Sequence, residues 1–212
     1  VPVAAPSASR PGRPRPTTAD HVWQDMAGGI EMIIDGGPVG IGVESTIVDV
    51  TGPVPVILRP GAITMEMVRD ALGQVEIDPA IVGPIKEGVR PKAPGMKYRH
   101  YAPKARMTLV EGEMEQVVRA INRLAREALK QGERVGIICT DETRFCYPAG
   151  MIRSVGIRAR EETVAHNLYA VLREFDDLEA DVIFSESFPD DQIGQAIMNR
   201  LSKAAGYHII KV

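Results

Sequence analysis

The sequence predicts an α/β protein whose second half forms a mainly parallel sheet covered by helices on both faces. From Met107 onward, short apolar runs alternate with longer segments whose apolar residues recur every three or four positions. This alternation is typical of successive β-α-β units. In the first half, two β-rich runs are separated only by the turn Thr51-Gly52-Pro53, which indicates an antiparallel hairpin in a smaller, mixed sheet.

The first 85 residues supply the elements of this smaller sheet. A hydroxyl side chain just before an apolar periodic segment favours a helix N-cap, so Thr17 or Thr18 is expected to begin the first helix. The predicted elements are, in order, a helix running to Met26, strands over 43–50 and 54–58, and a helix over 64–72. The glycine-rich run 36–42 is followed by a strand and not by a helix, so it is interpreted as a turn rather than a phosphate loop.

The second half supplies the parallel sheet. Its apolar runs have the length of buried strands, and the segments between them have the length of helices. The predicted elements are, in order, a strand over 107–110, a helix over 114–128, strands over 134–140 and 154–157, a helix over 164–178, a strand over 181–185, a helix over 192–205 and a last apolar run over 208–212. Helices of this length can connect parallel neighbouring strands, so a sheet covered on both faces is expected.

Composition and charge exclude several classes of protein. The 212 residues carry a net charge of −3, with 44% hydrophobic and 25% charged side chains. This balance argues against a disordered chain and against a uniformly basic nucleic-acid coat. The two cysteines have no Cys/His cluster near them, so neither a disulfide framework nor a zinc site is supported, and a cytoplasmic location is expected. No apolar run approaches the roughly 20 residues of a membrane span, and the start on Val1 suggests a processed or incomplete chain.

The positive charge is concentrated in two short segments. Residues 86–106 hold seven basic side chains and one acidic side chain, a net charge of +6, and Arg10, Arg13 and Arg15 add +3. The remaining residues therefore carry −12. Focused positive potential on an acidic protein predicts a localised anion site; the alternative is that both segments are a solvated linker and tail.

Three features of the first half have the residue types of a polar ligand site. The loop Pro6-Ser7-Ala8-Ser9 is small enough for backbone amides and a hydroxyl to approach a phosphate, although an ordinary surface turn has the same composition. The run 42–49 places acids and hydroxyls among apolar neighbours, which indicates either a bound polar ligand or an exposed sheet edge. Arg59 ends the next strand, where it could hold a phosphate bidentately or be a lone surface arginine.

The segment 94–103, with the sequence PGMKYRHYAP, alternates cations with aromatic rings between prolines. The rings could lie against a base while the charges meet phosphates. The same pattern would suit a strap over single-stranded RNA.

Four segments together resemble the C-terminal part of the long, two-domain form of threonylcarbamoyl-AMP synthase, the form with a YrdC-like catalytic domain. The resemblance lies in residues 6–22, 42–64, 94–104 and 194–205. It implies an incomplete YrdC-like α/β domain over 1–85, a basic aromatic linker over the active site at 86–106, and a Rossmann-like α/β domain over 107–212. The domain over 107–212 resembles a nucleotide-binding domain.

The resemblance also implies a reaction. The family joins L-threonine, bicarbonate and ATP, with Mg²⁺ as the cofactor of ATP, into threonylcarbamoyl-AMP and pyrophosphate. The adenylate supplies a downstream threonylcarbamoyl transferase machinery that modifies tRNA, and binding of double-stranded RNA or tRNA by the chain itself is a further expectation. No membrane partner and no protein nucleophile are expected, because positioning and charge stabilisation can carry such a reaction.

Site residues follow from the resemblance position by position. It implies ATP contacts by Ser7, Arg15, Arg59 and Tyr101, and threonine contacts by Ala5 and Ser45. Linker residues Lys97, Tyr98, Arg99 and His100 are expected to support Tyr101.

The chain also departs from the family pattern. The family usually has Asn where Ser9 stands, Ser-Gly where Pro11-Gly12 stands, and Ser where Arg15 stands, so Arg15 is hypothesised to contribute charge in place of a hydroxyl. The N-terminal half of the family's catalytic domain, with its Lys-x-Arg motif, has no counterpart here. The chain alone is therefore expected to be inactive or cut from a longer one. The alternatives are a non-catalytic nucleotide-binding or RNA-binding remnant and, on fold grounds, a carbamoyl-adenylate-forming hydrogenase maturation protein.

Overall fold

A computed structural model describes residues 1–81 and 101–212. The first unit contains, in order, α1 (Ala19–Met26), β1 (Ile47–Asp49), β2 (Val56–Arg59), α2 (Met65–Leu72), β3 (Glu76–Ile77) and a 3₁₀ turn at Pro79–Ile81. Thr18 and Thr64 cap the two helices, each accepting a backbone N–H with its side-chain oxygen at 3.3 Å. Both predicted helices of this half are therefore confirmed.

The small sheet has the strand order β1-β2-β3. β1 and β2 are antiparallel, which confirms the predicted hairpin, and β3 joins β2 in parallel. The first strand is shorter than predicted: β1 covers only Ile47–Asp49, and residues 43–46 lie outside the ladder. Glu44 and Ser45, which the predicted strand over 43–50 includes, therefore lie before β1 and not within it.

The second unit is built around a five-stranded sheet. Its elements are, in order, β4 (Arg106–Glu111), α3 (Met114–Lys130), β5 (Val135–Cys139), a 3₁₀ turn at Arg144–Cys146, β6 (Met151–Ser154), α4 (Glu161–Asp177), β7 (Val182–Glu186), α5 (Gln192–Ala204) and β8 (Ile209–Lys211). The strand order is β6-β5-β7-β4-β8, and every pair is parallel. The predicted α/β class is confirmed.

One predicted strand lies in a different place. The run 154–157 was expected to form a strand, whereas β6 ends at Ser154. Gly156 has a φ of +128°, and its N–H donates to the Ser154 hydroxyl. The chain therefore turns where the apolar pattern alone predicted extension.

Both faces of the large sheet are buried, as predicted. Helices α4 and α5 cover one face with Leu168, Phe175 and Leu201, and α3 covers the other with Val117 and Ile121. Within residues 1–81 and 101–212, no helix is long and apolar enough to cross a membrane.

Buried polar contacts join the two units. The Arg173 guanidinium in α4 contacts both carboxylate oxygens of Asp25 in α1, and its Nε donates to the carbonyl oxygen of Pro14 at 3.1 Å. Asn199 in α5 donates to the carbonyl oxygen of Ile81 at 3.0 Å. These contacts fix the first unit against α4 and α5, and the candidate site lies at this junction.

Candidate active site

A cavity of about 710 Å³ lies where the first unit meets α4. Most of its lining comes from the first unit, and Tyr169 adds a side chain from the second. The lining residues are Ser7, Ala8, Ser9, Arg15, Pro16, Val22, Val39, Gly40, Ile41, Gly42, Val43, Glu44, Ser45, Arg59 and Tyr169. Four of the six predicted ATP and threonine contacts, Ser7, Arg15, Ser45 and Arg59, are thus in one place.

Arg15 holds the serine loop. Its Nη1 donates to the Ser7 hydroxyl at 3.1 Å and also contacts the Ser9 hydroxyl. The two serine hydroxyls are 2.8 Å apart, and Nε of Arg15 donates to Oε1 of Glu44 at 3.2 Å. Part of the charge of Arg15 is therefore balanced within the protein, and its planar group organises the loop.

Arg59 stands at the end of β2, where it was predicted, and reaches back to Ser45. Its Nε donates to the Ser45 carbonyl oxygen at 2.9 Å, and its Nη2 donates to the Ser45 hydroxyl at 3.2 Å. The hairpin explains this proximity, because Ile47 is opposite Arg59 in the β1–β2 ladder. A cation and a hydroxyl are thus placed side by side on the cavity wall.

Glu44 links these groups to the second unit. Its Oε2 accepts from Arg200 Nε at 2.9 Å and from the Tyr169 hydroxyl at 3.0 Å. Burial opposes ionisation of Glu44, but the charge and hydrogen bonds of Arg200 outweigh it and lower the pKa of this carboxyl. Tyr169 and Arg200 are site residues that no sequence pattern predicts, although Arg200 lies in segment 194–205 of the family resemblance.

Tyr101 packs behind the cavity wall. It is 1% exposed, and its ring centroid lies 5.6 Å from that of Tyr169. The Arg15 guanidinium lies 5.5 Å from the Tyr101 ring centroid. Tyr101 therefore touches the arginine of the serine loop, while its nucleotide contact stays a prediction. Its supporting residues Lys97, Tyr98, Arg99 and His100 lie outside the described residues.

The glycine-rich run 36–42 contains no helix, as predicted, but it also forms part of the cavity wall. Gly42 has a φ of +86°, and a Cβ atom built there would lie 2.4 Å from the carbonyl oxygen of Ala165 in α4. Nδ1 of His166 lies 3.1 Å from the Gly40 carbonyl oxygen. The absence of a side chain at 42 thus allows the loop to contact the backbone of α4 directly.

Replacing Gly42 by alanine is expected to lower the free energy of unfolding by about 2 kcal/mol or more, because it adds a backbone clash to an unfavourable φ. Gly40→Ala is the matched control, since nothing lies within 4 Å of a Cβ built there. Urea unfolding and amide hydrogen exchange over 39–45 measure both effects. Equal stability of the two variants would show that the loop does not rest on α4.

Two predictions gain no support from this geometry. Ala5 is exposed and is absent from the cavity lining, so its threonine contact stays a prediction. For Mg²⁺, residues 1–81 and 101–212 contain no group of three or more His, Cys, Asp or Glu side chains that could hold a metal ion. Glu44, the carboxylate in the cavity lining, already accepts from Arg15, Tyr169 and Arg200. Mg²⁺ as the partner of ATP therefore stays a prediction.

The carboxyl end of the large sheet is acidic. A second cavity there is lined by Arg158 together with Glu142, Glu161, Glu162 and Asp191. Such a charge balance disfavours phosphate, so this edge offers no support for a nucleotide site in the second unit. The cavity at the junction of the two units is the better candidate.

Comparisons with known proteins match both units. A family model described as "Threonylcarbamoyl-AMP synthase, C-terminal domain" matches residues 63–206, and one described as "Telomere recombination" matches residues 1–61. The threonylcarbamoyl-AMP synthase of Bacillus subtilis is 46% identical over 211 residues, covering 100% of this chain and 59% of the relative. That of Pyrococcus abyssi is 45% identical and covers 100% of this chain and 60% of the relative.

A solved structure matches at the level of the fold. The crystal structure of Pyrococcus abyssi Sua5 complexed with L-threonine superimposes with a TM-score of 0.88 at 43% identity. The match covers 98% of this chain and 58% of that one. The chain thus spans about three fifths of the length of these relatives.

Proposed function

Since the chain belongs to the threonylcarbamoyl-AMP synthase family, we propose that its cavity is part of a site that joins L-threonine, bicarbonate and ATP into threonylcarbamoyl-AMP and pyrophosphate. The observation that carries this proposal is the convergence of Ser7, Arg15, Ser45 and Arg59 on one cavity. The adenylate is the donor for a downstream transferase that modifies tRNA.

The proposed chemistry requires no protein nucleophile. Bicarbonate dissociates into carbon dioxide and hydroxide. The threonine amine adds to the carbon dioxide and forms a carbamate, and the proton that the amine loses converts the hydroxide into water. A carbamate oxygen then bonds to the α-phosphorus of ATP, while the bond from that phosphorus to the bridging oxygen breaks and pyrophosphate leaves. Holding two anions together and neutralising the charge that develops on the phosphates can account for most of the acceleration.

Arg59 is the better phosphate ligand of the two cavity arginines. A guanidinium has five N–H donors, and the described contacts of Arg59 use two groups on a neutral serine. Arg15 instead faces the carboxylate of Glu44. We therefore assign the α-phosphate contact to Arg59, the threonine contact to the neighbouring Ser45, and the organisation of the Ser7 loop to Arg15. Mg²⁺ enters only as the partner of the ATP phosphates.

This chain by itself supplies only part of such a site. The first unit exposes large apolar side chains, among them Trp23, Met32 and Ile34, and β1 has a single neighbour in the described sheet. Exposed apolar surface and an open sheet edge are features that a further polypeptide would cover. We propose that activity requires a segment equivalent to the part of the relatives that the match leaves uncovered.

Threonine binding tests the proposal. When the chain is combined with that uncovered part, Ser45→Ala is expected to weaken L-threonine binding about fivefold to tenfold, the effect of one lost hydrogen bond. Calorimetric titration with threonine in the presence of ATP measures it. Ser154→Ala is the control, because the Ser154 hydroxyl contacts Asp141 in the second unit. Tight RNA binding with a steep salt dependence and no threonine binding would instead favour a non-catalytic RNA-binding module.

A further inference from the structure

The second unit contributes a tyrosine to the cavity wall. Tyr169 in α4 is fully buried, lines the cavity, and donates its hydroxyl to Oε2 of Glu44 at 3.0 Å. Glu44 immediately precedes Ser45 in the chain. The hydroxyl therefore restrains the residue next to the proposed threonine ligand.

Arg200 in α5 restrains both sides of the Ser45–Arg59 pair. Its side chain is completely buried, and its Nε donates to Oε2 of Glu44 at 2.9 Å. Its Nη1 donates to the carbonyl oxygen of Pro60 at 2.7 Å. Pro60 directly follows Arg59, so a single planar guanidinium contacts both the residue before Ser45 and the residue after Arg59.

The backbone between these positions leaves little room for movement. A Cβ built on Gly61 would lie 2.5 Å from the carbonyl oxygen of Glu44 and 2.5 Å from the backbone nitrogen of Thr46. The segment after β2 therefore contacts the main chain on both sides of Ser45. Glu44 and Ser45 are consecutive, and Gly61 lies against the backbone on both sides of Ser45. Because this region is closely packed, a displacement of Glu44 would also displace Ser45.

Stability alone is a weak explanation for this arrangement. A buried ion pair often stabilises a fold no more than apolar side chains of similar volume would. Unlike apolar side chains, a guanidinium and a tyrosine hydroxyl donate directional hydrogen bonds. They therefore fix the orientation of the carboxylate that they bind. Here both point to one oxygen of the carboxylate in the described cavity lining.

We propose that Tyr169 and Arg200 are positioning residues for the Ser45–Arg59 pair, so that the second unit sets the geometry of the threonine site. The inference rests on the proposed function. It assigns the unit of residues 106–212 an indirect share in substrate alignment, through side chains that hold Glu44. Misplacement of reacting groups by about 1 Å can lower a rate by roughly 10²-fold, so small shifts of Ser45 and Arg59 have measurable consequences.

Tyr169→Phe tests the inference because it removes one hydroxyl and keeps the ring. In the chain combined with the uncovered part of a relative, it is expected to raise the KM for threonine and to lower kcat, with kcat/KM for threonine falling about tenfold or more. Tyr147→Phe is the matched control, since Tyr147 is also buried and donates to a buried carboxylate, that of Glu186, at 2.7 Å. The control is expected to keep the wild-type kcat/KM.

Arg200→Lys separates position from charge. Lysine keeps the positive charge but lacks the planar fork that reaches Glu44 and Pro60 together, so the variant is expected to fold and to share the threonine defect of Tyr169→Phe. A purely electrostatic or structural role predicts that lysine restores kcat/KM. Wild-type kinetics in both Tyr169→Phe and Arg200→Lys would overturn the proposal.

An activity-independent readout keeps this inference apart from the proposed function. Amide exchange over 39–46 in the chain alone is expected to accelerate in Tyr169→Phe and to stay unchanged in Tyr147→Phe. If the wild-type chain combined with the uncovered part of a relative releases no pyrophosphate in response to threonine, the proposed function fails. If it does, but Tyr169→Phe and Tyr147→Phe give identical kinetics and exchange, the positioning role fails.

Discussion

Replacing Asp25 by alanine is expected to lower the free energy of unfolding by about 3–5 kcal/mol, the usual effect of leaving one member of a buried ion pair without its partner. The Asp25 side chain is completely buried and that of Arg173 is 4% exposed. Without the carboxylate, the guanidinium would remain charged in the junction between the two units. Urea unfolding followed by circular dichroism measures the loss.

An exposed ion pair provides the control for Asp25→Ala. Glu115 and Arg119 form a pair one helical turn apart on α3, and both side chains are largely exposed. Glu115→Ala is expected to change stability little, because solvent screens such a pair. Equal losses in the two variants would mean that the Asp25–Arg173 contact does not join the units.

The pH dependence of stability gives a second test of the same pair. Burial opposes ionisation of Asp25, but Arg173 and then Arg13 outweigh it, so the pKa of Asp25 lies below its ordinary value of 3.8. The unfolded chain therefore binds the proton at higher pH than the folded chain does. Stability from this group is complete above the unfolded value and is lost as the pH falls through the folded one. Asp25→Ala should remove that part of the acid dependence.

Replacing Arg59 by alanine is expected to lower kcat/KM for ATP by roughly 10²-fold. This is the usual effect of removing one hydrogen-bond donor that stabilises charge developing in the transition state. We expect this loss because the Arg59 guanidinium lies beside Ser45, the proposed threonine ligand, where it can contact the α-phosphate. The assay is pyrophosphate release by the chain combined with the uncovered part of a relative. Arg59→Lys keeps the charge without the fork, so an intermediate rate is expected.

A surface arginine provides the comparison for Arg59→Ala. Arg69 lies exposed in α2, and Arg69→Ala removes the same charge from the same unit. It is expected to leave the rate unchanged. If the two variants behave alike, Arg59 is not the phosphate ligand and the assignment of the cavity to ATP is wrong.

Local patterns in the sequence are sufficient to predict most of the fold. They also account for one pair of neighbouring residues in the site, Ser45 and Arg59. The caps at Thr18 and Thr64 follow from the preference of hydroxyl side chains for N-caps. The proximity of Ser45 to Arg59 follows from the hairpin. These features depend on residues close in sequence, where spacing carries the information.

The contacts that local sequence patterns do not predict join residues far apart in the chain. Tyr169 and Arg200 are 125 and 156 positions away from Glu44, and no periodicity relates them. The glycine-rich pattern predicts only a turn at Gly42, whereas its backbone lies directly against the backbone of α4. Such contacts are set by how the two units pack, which a single sequence does not display.

The proposed function places part of a threonylcarbamoyl-AMP synthase site in this chain. Its most direct test is pyrophosphate release by the chain, alone and combined with the uncovered part of a relative, with each substrate omitted in turn. We expect no release by the chain alone, and release by the combination only when threonine, bicarbonate and ATP are all present. Release that is indifferent to threonine would contradict it.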